Sequence, residues 1–181
     1  MTAYVALLRA INVGKRRLPM AELRELCESA GYQGVRTYLQ SGNIVFEAEA
    51  EKAEVTADLE QRISEHCGYP VPVLLRTAAE MTSVISRCPF DTTVDPTKLV
   101  VSFASDVVTA EDLGDAILQE FADPNGHERF AFDGRELYLW LPDGQAESPL
   151  VKALAKQRAG KEFTGRNWRT VTTLEQWASG N

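Results

Sequence analysis

Three short stretches of this chain carry side chains of the kinds that hold ligands. The first is Gln40-Ser41-Gly42-Asn43, a polar knot between the apolar runs of "YLQSGNIVF" (38–46). Gln40 and Asn43 each offer an amide donor and acceptor, and Ser41 offers a hydroxyl. The second is "RAINVGK" (9–15), which supplies Arg9, Asn12, Gly14 and Lys15, with Arg16 and Arg17 directly after. Cations and an amide, on a loop leading toward a helix start, suit an anion. The third is "TGRNWRT" (164–170), where Arg166, Asn167 and Trp168 present a cation, an amide and a large aromatic ring. The expected ligand contacts are therefore Arg9, Asn12, Lys15, Gln40, Ser41, Asn43, Arg166, Asn167 and Trp168. Each has a plainer reading. Turn amides commonly satisfy the backbone of their own loop, and a tryptophan is more often core. Arg9 sits in an otherwise apolar run, so its charge needs either an internal partner or a ligand.

Other chemistries find little footing. "NVGK" lacks the G-x-x-x-x-G-K-[ST] spacing of a phosphate-binding loop, and Ser41 lacks the G-x-S-x-G setting of a nucleophile. Cys27, Cys67 and Cys88 are odd in number and lie 40 and 21 residues apart, which suits neither a disulfide framework nor a Cys-x-x-Cys metal site. They read as reduced thiols of a cytoplasmic protein. His66 and His127 complete no metal-ligand spacing, so neither a metal nor a cofactor is expected.

A net charge of −7 argues against duplex DNA as a partner. Charge is nevertheless uneven. Residues 9–17 hold Arg9, Lys15, Arg16 and Arg17 without an acid, and residues 106–123 hold Asp106, Glu111, Asp112, Asp115, Glu120 and Asp123 without a base. Residues 152–169 are basic again through Lys152, Lys156, Arg158, Lys161, Arg166 and Arg169, against Glu162 alone. Such runs mark either solvated faces or a basic patch on an acidic protein. No apolar run approaches the ~20 residues of a membrane span, so no membrane partner is expected. "MTAYVALLRA" has no basic n-region and no cleavage site and reads as a first strand.

The elements that must position these residues follow from periodicity. With 181 residues, 44% hydrophobic and 25% charged, the chain suits one compact domain or two small subdomains. "AYVALLRAI" (3–11) is near-continuously apolar, as a central strand buried on both faces would be. Met20, Leu23, Leu26, Cys27 and Ala30 form a helical stripe behind Pro19 and before Gly31. Val35–Leu39 and Ile44–Phe46 read as strands joined by a two-residue Ser41-Gly42 turn. A helix is expected over 52–67, then an edge strand, 71–77, that contains Pro72. This order is β-α-β-β-α-β.

After a helix near 78–87 and a loop through Pro89 and Pro96, the same order repeats. It runs as strand 98–104, acidic helix 109–122, a hairpin (129–132 and 136–141) about Asp133-Gly134, helix 149–158 behind Ser148 and Pro149, and strand 167–172. Residues 173–178 add a terminal helical turn anchored by Trp177, and Trp140 reads as core. The expected class is α+β, two tandem ferredoxin-like βαββαβ subdomains with antiparallel sheets, at 1–78 and 98–181 about a connector at 79–97. In that topology the end of the first strand lies beside the start of the third, which gathers Arg9, Asn12 and Gly14 with residues 40–43. By the same topology Arg166, Asn167 and Trp168 are expected at a strand mouth in the second half.

Three stretches, "YVALLRAINVGKRRLPMAELRELCESAGYQGVRTYLQSGNIVF", "ELYLWLP" and "TGRNWRTVTTLEQ", resemble the bacterial family catalogued as domain of unknown function 1697. The likeness runs from residue 4 to about 176. That family usually carries glycine where this chain has Ala10 and Lys15, and asparagine where it has Arg169. The resemblance implies two ferredoxin-like subdomains and no established activity, cofactor or substrate. The leading functional expectation is a cytoplasmic binding module for a small, polar, phosphate-bearing anion. The alternatives are an enzyme using the same cleft and a protein-interaction or structural module. Single-stranded RNA is disfavoured, because the expected strands lack an RNP-like aromatic pattern. The oligomeric state is left open.

Overall fold

The computed structural model describes residues 1–93, 95–157 and 160–180. Residue 94 of the connecting loop, Arg158 of the basic run and of the expected helix 149–158, and Asn181 lie outside the described residues. The chain divides into two units, Met1–Ser83 with Thr173–Asn181, and Val84–Thr172.

The first unit holds β1 (Thr2–Leu8), α1 (Met20–Ser29), β2 (Gln33–Tyr38), β3 (Asn43–Ala48), α2 (Lys52–Cys67) and β4 (Val73–Thr77). Its sheet runs β2-β3-β1-β4 with antiparallel pairing throughout. Tyr4, Ala6 and Leu8 pack with Leu23, Cys27, Val55, Leu59 and Ile63 of the two helices. Val5 and Leu7, in the opposite phase, are fully buried as well, which explains the unbroken apolar run of β1. The α2 stripe Val55, Leu59, Ile63 recurs every fourth residue, and the helix stops where Gly68 turns left-handed (φ 75°). β4 is an edge strand, as expected from Pro72 just before it.

The second unit repeats the plan with β5 (Leu99–Ala104), α4 (Ala110–Leu113), α5 (Asp115–Phe121), β6 (Arg129–Asp133), β7 (Glu136–Trp140), α6 (Pro149–Lys156) and β8 (Phe163–Asn167). Its sheet runs β6-β7-β5-β8, again antiparallel. Two helices outside the repeated plan, α3 (Ala78–Ser86) and α7 (Trp168–Ala178), each follow a fourth strand without a gap. The expected α+β architecture of two βαββαβ halves is thus the observed one.

Several local expectations are corrected. β1 ends at Leu8, not residue 11: the Arg9 N–H still donates to Pro72 O at 3.0 Å, but Ala10 then turns left-handed (φ 55°) and takes the chain out of the sheet. The β2–β3 connection has four residues, Leu39–Gly42, and not a two-residue Ser41-Gly42 turn, since Tyr38 pairs with Asn43. In the second hairpin Asp133 pairs with Glu136, so the turn is Gly134-Arg135. The acidic helix is broken at Gly114 (φ 77°, ψ 154°), although Leu113, Ile117 and Phe121 face inward as periodicity requires. The last strand is 163–167 and not 167–172. Asn167 Oδ1 accepts the Thr170 N–H at 2.9 Å and starts a helix through a β-branched run that reads locally as strand.

Candidate functional site

The site begins with β1 and β3. Leu7 pairs with Asn43, and the Leu8 N–H donates to Gly42 O at 2.8 Å, so the exit of β1 lies against the Leu39–Gly42 turn. Asn12 then ties the two loops. Its Nδ2 donates to Leu18 O (2.9 Å) and to Gln40 O (2.8 Å), and its Oδ1 accepts from the Leu18 N–H (2.8 Å). Asn43, fully buried, donates through Nδ2 to Tyr38 O (2.7 Å) and to Ser41 Oγ (3.0 Å) and so closes the hairpin. Asn12 and Asn43 therefore use their amide donors inside the knot.

Packing beneath the turn is tight. A Cβ on Gly42 would stand 2.5 Å from Ile11 Cδ1 and 2.8 Å from Leu8 Cβ, and its φ of 79° independently favours glycine. Among the described residues, the non-glycine positions with positive φ are Ala10 (55°), Asn12 (52°) and Leu39 (57°), all within these two loops. Such conformations cost free energy and concentrate where surrounding structure holds a site in place.

The exposed rim of the knot carries Arg9, Lys15, Arg16, Arg17, Gln40 and Ser41, together with Val13 and Leu39, each 54% exposed. Arg16 donates to Ala10 O (3.4 Å) and lies over the Tyr69 ring, 4.6 Å from its centroid. Arg17 donates to Gly14 O (3.1 Å) and Arg16 O (3.0 Å). Lys15 contacts no described residue by hydrogen bond or ion pair, and Arg16 and Arg17 touch no carboxylate among the described residues. Lys15, Arg16 and Arg17 thus give the rim positive charge that no contacting acid among the described residues offsets.

Arg9 lies beyond the strand and is exposed. The buried arginine of this unit is Arg76 in β4, 2% exposed, whose Nη1 donates to Leu75 O at 3.1 Å. Sequence reading missed Arg76, although "VPVLLRT" carries the same signal, a lone cation in an apolar strand.

In the second unit, Arg166 and Asn167 pair with Val101 and Val100, at the start of β5. They lie at the end of β8 and not at its mouth, because the strand is set four residues earlier than its β-branched neighbours suggest. Arg166 is 7% exposed, its Nη1 donates to Thr164 Oγ1 (2.8 Å) and Gly165 O (2.9 Å), and burial pushes its guanidinium down to about 10. Asn167 caps α7, and Trp168 is 5% exposed. Arg166 and Arg76 occupy matching positions, paired with Val101 of β5 and Val5 of β1.

Neither histidine serves the knot. His66 Nε2 lies 2.8 Å from Glu22 Oε2, and His127 Nε2 lies 2.6 Å from Asp143 Oδ2. Among the described residues no group of His, Cys, Asp and Glu has metal-binding geometry, and no helix is long and apolar enough to cross a membrane. Cys27, Cys67 and Cys88 are free thiols.

Comparison with known proteins agrees with this architecture. The conserved bacterial protein SP0830 from Streptococcus pneumoniae has a solved structure that superposes with a TM-score of 0.78, at 24% identity over 99% of each chain. That likeness concerns the fold. No curated protein matches the sequence. The model of the protein family of unknown function DUF1697 matches residues 1–138, which include the whole knot and the first hairpin, and the chain belongs to that family.

Proposed function

We propose that the knot of residues 9–18 and 39–42 binds a small, polar, phosphate-bearing anion, and that the protein is a cytoplasmic binding module. One observation carries this reading. Lys15, Arg16 and Arg17 touch no carboxylate among the described residues, and the loop bearing them is tied to the Gln40-Ser41 turn by Asn12, with three left-handed backbone positions in the two loops. Arg9 and Lys15 supply charge, Gln40 and Ser41 supply neutral donors, and Asn12 and Asn43 hold the frame. A loop ordered before binding loses less entropy when it binds. A purely structural knot is the competing reading, favoured by the internally spent amides of Asn12 and Asn43.

Thermal melting in inorganic phosphate, against chloride at equal ionic strength, separates the two. A ligand at 100 times its Kd adds about 2.7 kcal/mol, a shift of several degrees. The expected result is a saturable phosphate shift in the wild type that Arg9→Met and Lys15→Met each abolish. A melting temperature that follows only the general salting effect of phosphate, alike in all three proteins, overturns the proposal.

A further inference from the structure

Arg129 opens β6 of the second unit, where it pairs with Trp140 of β7. The next pair along, Phe130 and Leu139, packs with residues of α5 and α6 in the core of that unit. Successive strand residues face opposite ways, so Arg129 and Trp140 lie on the other face of the sheet. On that face the Tyr138 hydroxyl donates to Val84 O of α3 at 2.9 Å. The chain leaving α3 brings Phe90 to the same arginine. The guanidinium carbon of Arg129 lies 5.4 Å from the centroid of the Phe90 ring and 5.9 Å from that of Trp140. All three side chains are half-buried.

The polar groups of this arginine are poorly matched. Nη1 donates to Pro124 O at 3.0 Å, and no other hydrogen bond or carboxylate engages the guanidinium among the described residues. Nε is buried and has no hydrogen-bond partner, while Nη2, also without one, is not buried. The adjacent acid, Glu128, is engaged at the start of α6, where its Oε2 accepts from the Ser148 hydroxyl (3.0 Å) and the Leu150 N–H (2.8 Å). A buried donor on a charged group is costly when it stays unpaired. The two rings attract the cation, and that accounts for its place but leaves the Nε–H without an acceptor oxygen.

We infer that Arg129, Phe90 and Trp140 form a binding site for a small organic carboxylate that carries a flat apolar body. With Nη1 engaged, the edge that remains is that of Nε and Nη2, whose two N–H groups match the two oxygens of a carboxylate. The rings beside it supply apolar surface, which suits an aromatic acid better than a bare inorganic anion. Trp140 is fixed in β7 by its pairing with Leu99 and Arg129. Phe90 stands on the connection between α3 and β5, so its ring is the one that shifts to bring the second oxygen to Nε. The site belongs wholly to the second unit and does not depend on an anion at the knot.

Titration of the full chain with sodium benzoate, followed by heteronuclear NMR of the three tryptophan indoles, tests this. Trp140→Phe identifies the Trp140 signal. The expected result is a saturable shift of that signal in the wild type, with acetate and inorganic phosphate, at equal ionic strength, binding more weakly by about tenfold or more. Arg129→Gln should abolish the shift. Arg129→Lys keeps the charge but not the fork, and should weaken benzoate by about tenfold or more. Unchanged Trp168 and Trp177 signals in each variant report that the fold is kept. A wild type with no saturable Trp140 shift, acetate or phosphate as tight as benzoate, or benzoate affinity preserved in Arg129→Gln or Arg129→Lys overturns the inference and leaves Arg129 a packing cation.

Discussion

Asn12 closes its own loop through two hydrogen bonds with Leu18 and ties that loop to the β2–β3 turn through a third, to Gln40 O. At about 1 kcal/mol for each net bond, Asn12→Ala should destabilise the protein by about 3 kcal/mol in denaturant titration. It should also weaken any phosphate response, because the loop bearing Lys15 is freed. Ala10 makes the opposite case. It holds φ 55° without the tolerance of glycine. Ala10→Gly should raise stability by about 1 kcal/mol, the left-handed penalty less the added chain entropy of glycine. Gly42 admits no such change. Gly42→Ala would drive a methyl group to 2.5 Å from Ile11 Cδ1 and strain φ 79°, and should cost about 3 kcal/mol. An unfolding midpoint for Gly42→Ala equal to that of the wild type would show that the knot yields where the geometry says it cannot.

Among the elements, the acidic helix shows most clearly how one residue overrides a pattern. Inward spacing of Leu113, Ile117 and Phe121 is that of a single helix, and all three are buried. Gly114 nevertheless takes φ 77° and ψ 154°, a region open almost only to glycine, and divides the segment into α4 and α5. Thr109 and Asp112 cap α4 reciprocally, at 2.7 Å from the Thr109 N–H and 2.9 Å from its hydroxyl to Asp112 Oδ2. Gly114→Ala should cost about 2 kcal/mol or more by chemical denaturation. A gain in stability would mean that a continuous helix fits after all. The same principle, in reverse, accounts for the misplaced last strand. "NWRTVT" has the β-branched content of a strand, and only the Asn167 cap and the pairing of residues 163–167 with β5 turn it into the first turns of α7.

For the molecule as a whole, pH dependence has a definite sign at the alkaline end. Burial pushes the Cys27 thiol up to about 12, with Asp58 and Glu28 adding to the shift. The folded state keeps this thiol protonated where the unfolded chain has lost its proton. Its contribution to stability is complete below the ordinary thiol range and falls as pH rises toward 12. Unfolding titrations at rising alkaline pH should show Cys27→Ala losing less stability with pH than the wild type. A thiol-specific reagent should label Cys67 and Cys88 in the native protein and reach Cys27 only on unfolding. Much of the architecture was legible without coordinates. The continuous apolar run of β1, the stripe of α2, Ser148 and Pro149 at the start of α6, and the repeated β-α-β-β-α-β order all arise from local periodicity and capping. Those signals depend on nearest neighbours and survive without knowledge of the fold. The topology they imply was enough to bring Arg9 and Asn12 beside residues 40–43. Where each side chain spends its hydrogen bonds was decided only by tertiary structure. Asn12 and Asn43 turn inward because carbonyls of Leu18, Gln40 and Tyr38 converge on them from segments remote in sequence or across a turn. Arg9 is exposed and Arg76 buried because the position of a strand end, set by the left-handed turn at Ala10, determines which of two similar arginines stays within the sheet.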